Sequence, residues 1–246
     1  MADNNSPPIL DVQGVGKRFG ALQVLSDVNF SMREGEAVGI VGPNGAGKTT
    51  FLSVVSGAHR PSGGRIAFSG TEITATPAMK RCQMGLERTH QIPRPFSGLT
   101  VFENVHVGAI HNSAGGQQDA YRAALDALDL CGMMHIANRP ADTIGLLDRK
   151  RLELARAVAT GPRLLLLDEI GGGLTESEAQ ELVETIRKLT ARGISIIWIE
   201  HIVHILLQVA TRLICMDAGT IIADGDPQAV MTHPQVVKAY LGGTPE

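Results

Sequence analysis

The chain has 246 residues, of which 43% are hydrophobic and 19% charged, enough apolar content for one sizeable core, with or without a smaller satellite. Its net charge of -3 excludes a global field for nucleic acid or anionic lipid, and its three cysteines, at 82, 131 and 215 with no CxxC pair, exclude a disulfide framework and point to thiols in a reducing compartment. The first residues carry an early acid and no cationic lead, which argues against a signal peptide, and the richest apolar runs, 194–199 and 202–210, fall short of the roughly 20 residues a spanning helix needs.

In chain order, Ile9 to Val41 reads as strands: 9–13, then Val24, Ser26, Val28, Phe30 and Met32 alternating with polar positions, then 37–41 running into a glycine-rich turn. Lys48 to Ser56 has helical spacing and stops at Gly57; Pro61 to Gly64 is a turn and Arg65 to Phe68 a short strand. The texture then changes. Thr100 and Glu103 form a capping box that opens a helix, 113–118 reads as a surface loop, and Ala120 to Leu130 and Arg149 to Thr160 are helical. After Gly161-Pro162, strand and helix alternate again: strand Leu164 to Leu167, a helix from a second capping box (Thr175 with Glu178) to Arg192, and strand Ile194 to Ile199. The pattern predicts one α/β domain over 1–246, with a mixed-sheet core at about 1–91 and 161–246, an antiparallel β part at its N-terminal end, and an inserted helical part at about 92–160.

The run Gly42, Pro43, Asn44, Gly45, Ala46, Gly47, Lys48, Thr49, with Thr50 following, fits GxxxxGK[ST] and lies after an apolar strand and before a helix. An ordinary glycine-rich turn has no reason to end in Lys-Thr at a helix start. In a phosphate loop the glycines let backbone N–H groups converge on phosphate oxygens and the helix N-terminus adds favourable partial charge. Lys48 then neutralises the β/γ oxygens of ATP and Thr49 ligates Mg²⁺. Four leucines at 164–167 lead to Asp168 and Glu169 at the end of a strand buried on both faces. Asp168 is expected to hold Mg²⁺ through water, and Glu169 to polarise an attacking water. A third strand ends in Glu200-His201, so His201 emerges at the same sheet edge, within reach of the γ-phosphate. Capping a strand or helix is the plainer role of an isolated histidine, and His201 with His204 finds no third metal ligand.

Together these elements resemble the ATPase subunit of ABC transporters, from about Leu10 to Leu241: a P-loop NTPase core with an inserted helical part. The resemblance implies an enzyme that binds and hydrolyses ATP with Mg²⁺ at a dimer interface. Its partners would be a second ATPase subunit, transmembrane permease subunits and, indirectly, a solute-binding protein, with no nucleic acid, and its place the cytoplasmic face of the membrane. It also implies two roles invisible to spacing: Phe19 falls where the family stacks an aromatic ring on adenine, and Gln91 is similar to the glutamine that senses Mg²⁺ and the attacking water. The forms Arg88-Thr-His-Gln91, Pro93 to Phe96, Leu99 to Asn104 and Val236 to Gly243 look like the branched-chain amino-acid importer branch, which also contains urea and amide importers. That branch pairs two different ATPases.

Two segments depart from the family pattern. The signature LSGGQ becomes Ile144-Gly-Leu-Leu-Asp148, so Gly145 and Leu146 replace the hydroxyl and first glycine that meet the partner's γ-phosphate. After Glu169, Ile170 replaces a proline and Thr175 an aspartate or asparagine. These departures suggest an asymmetric dimer in which a different subunit presents the intact signature. An alternative is an ATP-binding dimer partner with little hydrolysis of its own. A nucleic-acid ATPase would need coiled-coil arms or a basic tail, and a small-molecule kinase an acceptor pocket; the adjacent acids and late histidine favour transfer to water. Arg94 to Leu99, apolar and proline-rich with no evident core role, is the expected contact with a membrane partner.

Overall fold

The computed structural model describes residues 7–112 and 116–241. Strands β1 (Leu10–Phe19), β2 (Leu22–Met32), β4 (Gly63–Phe68) and β5 (Thr71–Glu72) form an antiparallel sheet in the order β2-β1-β4-β5. A second sheet contains β3 (Ala37–Val41), β6 (Leu86–Arg88), β7 (Leu164–Asp168), β8 (Ser195–Ile199), β9 (Arg212–Asp217) and β10 (Thr220–Gly225), ordered β10-β9-β3-β8-β7-β6. It is parallel except where β10 turns back on β9.

Every residue of β3, β7 and β8 is buried, which is why these strands read as unbroken apolar runs. Side chains still alternate across the sheet. Leu164, Leu166, Ile197 and Ile199 join Phe51 and Leu52 of α1 (Lys48–Val55) and the antiparallel sheet in one core, while Leu165, Leu167, Ile196 and Trp198 join the helical side in the other. The last carbonyls of α1, on Val54 and Val55, accept from the guanidinium of Arg81 in α2 (Ala78–Gln83) at 2.9 and 2.6 Å. A buried cation at the negative end of the helix fixes α1 from behind.

The helical part comprises α3 (Val101–Asn112), α4 (Gln117–Leu130) and α5 (Leu146–Ala159). The capping box at α3 is present, with the Thr100 N–H donating to Glu103 at 2.7 Å and the Glu103 N–H to the Thr100 hydroxyl at 3.2 Å. A Cβ on Gly108 would lie 2.6 Å from the Arg156 carbonyl, so glycine is what lets α3 and α5 approach so closely. Beyond β7 come α6 (Glu176–Ala191), α7 (Val203–Leu206), α8 (Pro227–Met231) and α9 (Pro234–Leu241). No helix among the described residues is long and apolar enough to cross a membrane.

Three expectations are corrected. In β2 the core takes Leu25, not Ser26, while Val28, Phe30 and Met32 point inward as expected. Asp27 has a positive φ of 50°, and the register with β1 shifts between Val28 and Leu25, so a bulge resets the alternation. Gln117 and Gln118, expected in a loop, open α4, whereas 113–115 lie outside the described residues, as do Gly242 and Gly243. Helix α5 starts at Leu146 rather than Arg149, so the altered signature segment supplies its first turn.

Candidate functional site

Strand β3 runs directly into the loop 42–47. Gly42, Gly45 and Gly47 have φ of 143°, 81° and 97°, a region that disfavours side chains. Gly42 is the strictest case, since a Cβ there would sit 2.1 Å from the Met216 carbonyl oxygen. Lys48 opens α1 and folds back, donating from Nζ to the carbonyls of Gly42 at 2.7 Å and Pro43 at 3.0 Å. Burial lowers the Lys48 pKa, and the charges of Glu169, Cys215 and Asp168 push it back up. A cavity of about 190 Å³ lies over residues 44–50, with Val24 and Glu169 on its wall. Gly42 and Pro43 stand behind it, as acceptors for Lys48.

The carboxyl end of β7 brings two acids to the same place. Asp168 is buried; its carboxylate accepts from the Thr49 hydroxyl at 3.4 Å and from the Arg88 guanidinium at 2.7 Å. Arg88 also donates to Ser53 of α1 at 2.8 Å, so β6, β7 and α1 meet in one charged cluster. Glu169 has a positive φ of 49°, a strained conformation for a residue with a side chain. Its carboxylate accepts from the Gln91 amide and lies 2.8 Å from Nε2 of His201. The fold thus gathers Gln91, Glu169 and His201 around one carboxylate, and Thr49 with Asp168 beside it. Phe19, 43% exposed, is not among the residues lining the cavity; its ring meets His59 edge-on at 5.3 Å, with the Lys17 ammonium 4.7 Å from its centroid.

Several contributors escaped sequence reasoning. Arg88 has its only signal in standing three residues before Gln91. Glu200 has no sequence signal beyond its place next to His201, yet it is buried and accepts from the Gly171 N–H at 2.5 Å and the Trp198 indole at 3.3 Å. Burial raises its pKa, against the pull of those bonds and of Lys150. A Cβ on Gly171 would come within 2.9 Å of that carboxylate, so the glycines after Glu169 admit it. Thr175, one of the departures noted above, accepts from the Glu178 N–H at 3.3 Å and caps α6, a sufficient local reason for a hydroxyl there. Tyr240, from α9, accepts a hydrogen bond from the Gly42 N–H at 2.7 Å.

The proline-rich segment is fastened to α5. The Phe96 backbone is bonded at both ends to the Asn104 side chain, at 2.7 and 3.2 Å, and the Arg156 guanidinium stacks 4.5 Å from the Phe96 ring. Arg156 donates to the Arg94 carbonyl and to Glu153, and Glu153 lies 2.9 Å from Nδ1 of His90. Burial opposes the charge on Glu153, but the bonds from His90 and the Arg156 charge outweigh it and hold its pKa low. A groove of about 270 Å³ lies between this segment and α5, with Phe96 and Val107 partly exposed along it.

The ABC transporter family model matches residues 25–171, and that of the branched-chain amino acid ATP-binding cassette transporter matches residues 220–245. The chain is 34% identical to the high-affinity branched-chain amino acid transport ATP-binding protein LivG of Escherichia coli (strain K12), over 96% of this chain and 99% of that protein. It is equally similar to BraF of Pseudomonas aeruginosa, again 34% identical with the same coverage. Among solved structures, a nucleotide-free ATP-binding cassette from an ABC transporter superposes with a TM-score of 0.86 at 29% identity, covering 96% of this chain and 99% of that one. The ADP conformation of such a cassette gives 0.85 at the same identity and coverage. The alternative of a partner with little hydrolysis of its own finds no support in these comparisons. With a complete phosphate loop, paired acids at the next strand end and these relatives along nearly its whole length, the chain belongs to the ABC transporter family as an ATP-binding, ATP-hydrolysing subunit.

Proposed function

We propose that the chain powers a branched-chain amino-acid importer by hydrolysing ATP held on its own phosphate loop, with Glu169 as the base that orients the attacking water. The observation that carries this is the convergence of Gln91 and His201 on the Glu169 carboxylate at the wall of the phosphate-loop cavity. A carboxylate with two such partners is held in one orientation, which is what a general base requires. ATP phosphates would take the backbone N–H groups of residues 44–50 and draw Lys48 off the Gly42 and Pro43 carbonyls. His201, held beside Glu169, would also reach the γ-phosphate, and Phe19 would stack on adenine.

The oxygens of Thr49 and Asp168, 3.4 Å apart, are hard donors of the kind Mg²⁺ prefers, and Gln91 stands on the same side. Mg²⁺ bound there supplies charge neutralisation at the β/γ-phosphates. Arg88 meanwhile holds the buried Asp168 carboxylate in place with a 2.7 Å bond.

The proposed partners are a second, different ATPase chain and the permease subunits of a membrane transporter, with the chain on the cytoplasmic face. The groove beside Phe96 suits a permease segment, because it joins the Gln91 segment to α5 through His90, Glu153 and Arg156. The chain's α5 N-terminus carries Gly145 and a 46% exposed Leu146, where a partner's γ-phosphate would need polar donors. The assignment of solute rests on the LivG and BraF relatives, since this subunit does not touch cargo. ATP hydrolysis by the chain alone, then mixed with a candidate partner ATPase, tests the proposal: activity that needs the partner and disappears with Glu169→Gln supports it, and activity indifferent to Glu169→Gln contradicts it.

A further inference from the structure

We propose that Tyr240 is a positioning residue for the phosphate loop: its hydroxyl holds the Gly42 N–H while Lys48 holds the Gly42 carbonyl, so that the loop keeps its shape when Lys48 leaves for the phosphates. The inference rests on the ATP-binding reading above and gives the C-terminal helix a part in it.

Gly42 is buried at the junction of β3 and the loop, and its N–H donates to Tyr240. A buried backbone donor without a partner is costly, and no other partner for this one is seen among the described residues. The Gly42 carbonyl accepts from Lys48. The residue is therefore braced twice in this state, once through each of its polar backbone groups. Phosphate recruits Lys48 and removes the second brace, together with the Lys48 bond to Pro43. The Tyr240 bond does not depend on Lys48, so it then holds Gly42 alone. Because the braces are two before binding and one after, losing Tyr240 costs the bound state more than the free one, and affinity must register the difference.

Helix α9 is built to aim that hydroxyl. Val236 is buried in the helical-side core beside Val230, and Tyr240 follows it by four residues, on the same face. Val237 points away and is 40% exposed. The tyrosine ring is itself 47% exposed, so its specific contribution is the hydroxyl bond rather than deep packing.

The test titrates the full chain, as wild type, Tyr240→Phe and Val237→Ala, with a fluorescent ATP analogue in the presence of Mg²⁺, and records unfolding midpoints without nucleotide. Tyr240→Phe is expected to weaken binding about threefold, the share of one hydrogen bond that falls on the bound state alone, and to lower the midpoint by a few degrees relative to Val237→Ala, the share lost in both states. In steady-state hydrolysis with a partner, KM for ATP rises and kcat holds. Unchanged affinity in Tyr240→Phe overturns the inference, whether or not the midpoint falls. Failure of the wild type to bind the analogue would instead overturn the ATP-binding reading.

Discussion

Two helix N-termini in this molecule both begin at a glycine but differ in backbone and in chemistry: Gly47 before α1 is left-handed, with φ 97°, and Gly145 before α5 is extended, with φ −70°. Both α1 and α5 follow a glycine N-cap whose position carries no side-chain cap bond, so both present unpaired N–H groups. At α1 those groups face a cavity flanked by Lys48, Thr49 and Glu169, with Asp168, Gln91 and His201 in contact around it. At α5 the first turn offers the exposed Leu146 and the carboxylate of Asp148. The helix dipole is the same in kind at both ends. What separates the two helix starts is therefore the glycine loop that enters α1 and the side chains around it, and on the proposed function this is the difference between the chain's own ATP site and the end it would offer a partner.

The strongest way to break this comparison is to disable the complete site. Lys48→Ala or Glu169→Gln is expected to lower hydrolysis by roughly 100-fold or more, with Glu169→Gln still binding ATP in a filter or fluorescence assay. A smaller effect is expected from repairing the depleted end. In a heterodimer whose Glu169 is already Gln, Gly145→Ser combined with Leu146→Gly should raise the remaining hydrolysis about fivefold, as a restored donor would. No change there would mean that the partner's ATP does not meet α5. Phe96→Ala should leave ATP binding by the isolated chain unaltered and reduce only hydrolysis stimulated by the permease, since Phe96 lies on the groove and not at the phosphate cavity. Smallest, Thr175→Ala removes the α6 cap and should cost about 1 kcal/mol of stability, read as a drop of a few degrees in Tm with ATP affinity unchanged.

The comparison also explains what was readable beforehand. The phosphate loop was legible because its requirements are local: glycines at positive φ, then Lys-Thr at a helix start. Strand β7 was legible because burial on both faces leaves no room for polar residues before Asp168. The two capping boxes were legible for the same reason, being four-residue patterns. The phase of β2 was not, because the bulge at Asp27 is a backbone choice that apolar spacing cannot report. Nor were Arg88 on Asp168 or Glu200 under Gly171, whose partners are distant in the sequence. Tyr240 is the extreme case, since 198 residues separate it from Gly42. The roles of Phe19 and Gln91 come only through family resemblance, and the fold brings Gln91 to Glu169 while Phe19 packs against His59, outside the lining of the phosphate cavity.

The most direct test of the asymmetry is to purify the heterodimer with its permease and silence one ATP site at a time, replacing either Glu169 here or the catalytic glutamate of the other ATPase. Glu169→Gln should abolish most of the turnover while the reciprocal change leaves most of it. Equal losses from the two substitutions would contradict the account.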